Sequence, residues 1–146
     1  MNSSTPHVQA APATFAQLLS STRRGARLAR LLATGQLRTW DVSPATTERA
    51  EQIVAELAAN AALHGRVRGR DFRLALRLDT ATGTLRIAVS DARGDRLPVL
   101  VTAPLPEENA ESGRGLLLVD ALADRWGTEP YPPAGKTVWA ELDRRP

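Results

Sequence analysis

The sequence predicts an α+β domain, a two-layer sandwich with helices on one face of a mostly antiparallel mixed sheet. Three observations point there. Two helical stretches occupy the first half; two runs with strand periodicity follow, joined by a Gly-containing turn; a further helix and two short strands close the chain.

Residues 1–14 hold Pro6, Pro12 and several Ala and Ser, and read as a disordered lead to a single domain over 15–146. A short segment around Phe15 leads to a helix over about 20–35. Ser43 and Pro44 form an N-cap and first-turn pair that opens the next helix, which Gly65 ends. His64, at that helix end, reads as a cap for the last carbonyls and stays outside the site. Phe72–Asp79 and Thr84–Ser90 alternate around Thr80-Ala81-Thr82-Gly83, which signals a hairpin. Residues 92–112 carry Pro98, Pro104, Pro106, Glu107, Glu108 and Glu111 with little amphipathic period, and read as a lid. A helix over 115–124 and strands near 125–128 and 137–142 complete the set, with Trp40, Trp126 and Trp139 read as core.

A chain of 146 residues with 42% apolar content is one domain by prior and can bury a core. The absence of cysteine excludes disulfides and thiolate metal sites, and two histidines, His7 and His64, argue against a histidine zinc site. No apolar run approaches a membrane span and the N-terminus lacks a signal pattern, so the expectation is a cytoplasmic protein without a membrane partner. All but one of the 19 basic residues are arginine, Lys136 being the exception. Arg23, Arg27 and Arg30 share a helical face opposite Leu28 and Leu32, within a basic stretch from Arg23 to Arg38. Such a stripe suits nucleic acid or an acidic partner, but few aromatics are interleaved to stack on bases, so a solvated face is favoured and no direct nucleic-acid partner is expected.

Three segments carry chemistry. Glu56 and Asn60 lie one helical turn apart, on a face beside the apolar stripe of Ile53, Leu57 and Ala61. A hard cation such as Mg²⁺ needs only one or two such oxygens when phosphates and water fill its other positions. Asp91 ends a strand ahead of Ala92-Arg93-Gly94-Asp95, where its carboxylate can accept from an exocyclic amino group or bond its own turn. Gly113 and Gly115 lead into an apolar helix beginning at Leu116, an arrangement that brings backbone N–H groups and a helix N-terminus to phosphate.

In order, Glu56-Leu57-x-x-Asn60-Ala61, Asp91, Gly113-Arg114-Gly115-Leu116 and Gly135-Lys136-Thr137-Val138-Trp139 resemble the boxes of the GHKL (Bergerat-fold) ATPase superfamily. The chain is most similar there to the small anti-sigma-factor serine/threonine kinases, over about Phe15 to Leu142. The resemblance implies ATP and Mg²⁺ as cofactors, Asn60 as metal ligand, and Glu56 as the general base or orienting group. It implies that Asp91 reads the adenine amino group, that Gly94, Gly113, Gly115 and Leu116 line the nucleotide, and that Thr137 lies near the adenine. One departure stands out: the superfamily's Asp-x-Gly-x-Gly is replaced here by Arg93 and Asp95 at the glycine positions, with Gly94 displaced by one, which bears on nucleotide affinity more than on fold.

The function so implied is an ATP-dependent serine/threonine kinase that phosphorylates an anti-anti-sigma (STAS-like) partner and sequesters a sigma factor, with a homodimer compatible. The alternative is a non-catalytic nucleotide switch acting by partner sequestration. A small basic nucleic-acid binder, resting on the arginine stripe alone, comes third.

Overall fold

The computed structural model describes residues 11–67, 69–95 and 116–144. Strand β1 (Ala13–Leu19) is followed by helices α1 (Arg23–Thr39) and α2 (Pro44–Leu63), then strands β2 (Phe72–Leu78) and β3 (Leu85–Asp91). Helical residues 116–122 form α3, and strands β4 (Arg125–Tyr131) and β5 (Gly135–Leu142) complete the domain. The sheet runs β1-β2-β3-β5-β4, and every pairing described is antiparallel. The predicted α+β layering is therefore present. β1 begins at Ala13, inside the stretch assigned to the lead, while residues 1–10 and most of the 92–112 stretch lie outside the described residues.

Period-two alternation builds the inner face of the sheet. Phe72, Leu74 and Leu76 on β2, Leu85, Ile87 and Val89 on β3, and Val138, Ala140 and Leu142 on β5 are all buried in one cluster. Against them lies α2, through Ala50, Ile53, Val54, Leu57, Ala58, Ala61 and Ala62. Ser43 caps α2 by accepting from the Thr46 N–H at 3.3 Å, and Pro44 occupies the first turn, where its missing N–H costs nothing. At the other end the N–H groups of His64 and Gly65 both donate to Asn60 O, at 2.8 and 3.0 Å.

Helix α1 starts at a Thr22 cap that accepts from Gly25 N–H. Its buried stripe is Gly25, Ala29, Ala33, Thr34 and Leu37, not the Leu28 and Leu32 side of the helix; Leu28 is exposed and Leu32 only partly buried. Small residues on facing helices let α1 and α2 approach closely, so here size outweighs hydrophobicity in deciding which side goes in. Trp40 and Trp126 pack against the core as expected. Trp139 does not: it alternates to the outer face, over Gly127, with the Arg86 guanidinium 4.6 Å from its ring centroid. Arg86 is also paired there with Glu129 and Glu141. Among the described residues no helix is long and apolar enough to cross a membrane.

The β2–β3 hairpin turns on Asp79, whose Oδ1 accepts from the N–H groups of Ala81 and Thr82 at 2.9 and 3.2 Å, while Gly83 supplies the positive φ of 78°. These backbone bonds hold the Asp79 carboxyl below the usual carboxylate range. A depressed folded pKa means stability that is present above the unfolded value and lost as pH falls through the folded one. Asp79→Ala should accordingly be less stable than wild type at neutral pH, with the gap closing on acidification. Urea unfolding of both proteins over about pH 3 to 7 checks this; a gap independent of pH would show that the carboxylate charge plays no part.

Candidate functional site

The site is set where the end of β3, the start of β5 and the C-terminus of α2 meet. In the β3–β5 register Asp91 stands opposite Lys136 and Ser90 opposite Thr137. Alternation sends Asp91 and Lys136 to the helix side with Val89 and Val138, and sends Ser90 and Thr137 to the other side. Asp91 and Lys136 are 5% and 6% exposed, so this is a buried ion pair. Lys136 Nζ lies 3.0 Å from Asp91 Oδ1 and 2.9 Å from Oδ2, and donates also to Arg93 O at 2.9 Å. The Arg93 N–H donates to Asp91 Oδ1 at 2.8 Å. Burial pushes the Asp91 carboxyl above its ordinary range, while the Lys136 ammonium and the Arg93 amide act the other way.

Gly65 closes the far side of this carboxylate. A Cβ on Gly65 would stand 2.1 Å from Asp91 Oδ2 and 2.3 Å from Cγ. Only a residue without a side chain lets the end of α2 lie on the carboxylate. Gly135 makes a similar approach on β5, where a Cβ would meet Asp91 O at 2.1 Å.

The remaining expected site residues fall in different places. Glu56 and Asn60 are both half-buried on α2, one turn apart, with Leu57, Ala58, Ala61 and Ala62 buried around them. Gly94 is held against the β4–β5 turn: its N–H donates to Ala134 O at 2.8 Å, and a Cβ would come within 2.6 Å of that oxygen. Arg93 and Asp95, at the superfamily's glycine positions, bond each other in a two-pronged ion pair at 2.9 and 3.0 Å. Leu116 is buried at the first described position of α3, whereas Gly113 and Gly115 lie outside the described residues. Thr137 is not brought beside the Asp91 carboxylate; it shares a 2.6 Å hydroxyl contact with Ser90 on the opposite face. The inward neighbour is Lys136. Sequence reasoning missed Lys136 and the packing role of Gly65, although the alternation through Val138, Ala140 and Leu142 already points position 136 inward.

Among the described residues no cluster of three His, Cys, Asp or Glu could hold a metal by protein ligands alone. The donor chemistry that is present, a carboxamide and a carboxylate a turn apart on α2, fits Mg²⁺ coordinated mainly by phosphates and water.

Sheet order, helix layer and this corner together define a two-layer domain of the Bergerat type. Residues 19–142 match the family model of the histidine kinase-like ATPase domain, and the chain belongs to that family. ATP is the ligand an ATPase domain implies. Among solved structures, the chain is similar to the RsbU and RsbW domains of Rv1364c from Mycobacterium tuberculosis, with a TM-score of 0.67 and 18% identity. That match covers 91% of this chain, which spans 33% of the other. The SiaB–SiaC complex from Pseudomonas aeruginosa matches with a TM-score of 0.63 and 13% identity, over 88% of each chain. At these identities the likeness is one of fold. No curated protein sequence matches the chain.

Gly65→Ala tests the packing of the corner. The added methyl must push the buried carboxylate aside, and overpacking of this kind costs about 1–3 kcal/mol. A shift of that size is expected in the urea midpoint with an unchanged m-value; equal stability would mean that α2 does not rest on Asp91.

Proposed function

We infer that this chain is an ATP-binding regulator that transfers phosphate to a serine or threonine of an anti-anti-sigma (STAS-like) partner and holds a sigma factor according to that partner's state. The observation that carries the reading is the placement of Glu56 and Asn60, a turn apart and half-buried, on the helix whose end rests on Asp91. Family membership supports ATP as the nucleotide. The resemblance of the motif order to small anti-sigma-factor kinases supports the partner class, and two structural neighbours, one containing an RsbW domain and one a SiaB–SiaC complex, are consistent with it.

ATP supplies the phosphoryl group and Mg²⁺ offsets the charge on its phosphates. In this reading the Asn60 amide oxygen would hold the metal, and Gly113 and Gly115, outside the described residues, are the glycines that the motif resemblance assigns to the phosphates. Glu56 orients the partner's hydroxyl and accepts its proton as the oxygen–phosphorus bond forms and the bond to ADP breaks. Asp91 accepts from the adenine amino group. Positioning and charge stabilisation suffice for this reaction, which is why so few side chains can carry it.

A second reading, a nucleotide-dependent switch without transfer, is favoured by the Arg93–Asp95 pair at the positions where the superfamily has glycines. The two readings share ATP binding and part at Glu56.

Mg-ATP at about a hundred times its dissociation constant adds ~2.7 kcal/mol to stability, so the melting temperature should rise by several degrees; a curve unmoved by millimolar Mg-ATP would overturn both readings. Glu56→Gln should keep Mg-ATP binding and lose transfer to the anti-anti-sigma partner by about a hundredfold or more. Asn60→Ala should lose the Mg²⁺-dependent part of ATP affinity. Transfer by Glu56→Gln at the wild-type rate would remove the base assignment, and tight binding with no transfer by the wild type would leave the switch.

A further inference from the structure

The carboxylate assigned to the base is already engaged. Lys136 donates to Asp91 Oδ1 and to Arg93 O, and its ammonium also lies 2.9 Å from Asp91 Oδ2. Asp91 Oδ1 receives a further bond from the Arg93 N–H, and Gly65 lies directly on Oδ2. A carboxylate offers about four lone-pair positions; here Oδ1 takes both donors, and Oδ2 is hemmed in by the ammonium at 2.9 Å on one side and the backbone of Gly65 on the other. A purine amino group therefore cannot simply add to this arrangement.

We propose that Lys136 sets the nucleotide affinity of this site by competing with the base for Asp91, the ion pair opening when the base's amino group takes the ammonium's place on the carboxylate. The proposal rests on the ATP-binding reading and adds to it a residue to which the motif resemblance assigns no role. Two features of the corner make the exchange feasible. Asp91 accepts charge-assisted bonds in either state, so a base that donates to it offsets much of what the ammonium gave up. The lysine stem is unbranched and ends in a strongly hydrated ammonium, which gains hydration once released. Arg93 and Gly94 do not need to move with it, because the Gly94 N–H is tied independently to Ala134 O.

Competition has a distinctive signature: removing the cation tightens binding, the opposite of what loss of a ligand contact does. Lys136→Thr removes the ammonium, keeps a β-branched strand residue and leaves space. Isothermal titration with Mg-ATP at about pH 8, above the ordinary carboxylate range, should show binding about tenfold tighter than wild type. The gain should vanish with purine riboside triphosphate, which carries hydrogen where adenine carries its amino group. Lys136→Gln, which leaves a neutral donor on Asp91, should tighten ATP binding about threefold and decides the matter if Lys136→Thr does not hold its fold. Wild-type ATP binding with equal or weaker binding by the variants overturns the proposal and leaves the ATP reading standing. A gain of the same size for the nucleotide without the amino group also overturns it, since that would report added space and not competition. No binding of ATP by wild type or variants removes the ATP reading and the proposal together.

Discussion

The antiparallel register of β3 against β5 is the constraint on which the rest of the domain depends. It pairs Leu85 with Leu142, Ile87 with Ala140 and Val89 with Val138, and so lays a continuous apolar surface under α2. The same register ends with Asp91 opposite Lys136. A slip of one residue would turn the core rows of β5 to the outer face and leave Asp91 buried beside a hydroxyl in place of a cation. Core and site are thus fixed by one choice, and the apolar pairs that dominate its energetics hold the polar pair in place.

The polar pair itself is a compromise. Taking a carboxylate and an ammonium out of water costs several kcal/mol per ion, and such a pair breaks even only with good geometry and further hydrogen bonds. Arg93 supplies those on both partners, its N–H to Asp91 and its carbonyl to Lys136. The upward push of burial on the Asp91 carboxyl shows that desolvation is not fully offset. Such a group adds stability below its unfolded pKa and loses that contribution as pH rises through its folded one. Residual tension of this kind suits a recognition group, because a ligand that satisfies the carboxylate has less to overcome than at a fully relaxed pair.

Much of the fold was legible because its signals are local. The alternation of β2 and β3 about an Asp79–Gly83 turn, and the Ser43-Pro44 opening of α2, depend on neighbours in sequence and appear in the structure nearly as read. What failed depended on partners distant in sequence. Apart from Leu37, the buried stripe of α1 is made of Gly25, Ala29, Ala33 and Thr34, which hydrophobicity ranks low and helix-on-helix packing ranks high. Trp139 reads as core by size, yet strand parity sends it outward to Arg86 and Gly127. In the site, the resemblance names Thr137, and strand parity adds Lys136 as the neighbour of the Asp91 carboxylate, a pairing set by the β3–β5 register. Gly65 was legible as a helix stop but not as the surface on which Asp91 rests, since that contact joins residues 65 and 91 through the fold alone.

Before nucleotide binds, a single buried ammonium, that of Lys136, occupies Asp91. Lys136 is the only lysine in the chain, so isotopically labelled lysine gives one side-chain ammonium signal. Held by Asp91 and Arg93 and shielded from water, that ammonium should exchange its protons slowly enough to be observed by NMR near neutral pH, and titration with Mg-ATP should move the signal or broaden it away. An ammonium that exchanges with water as fast as a free lysine before any nucleotide is added would contradict the account.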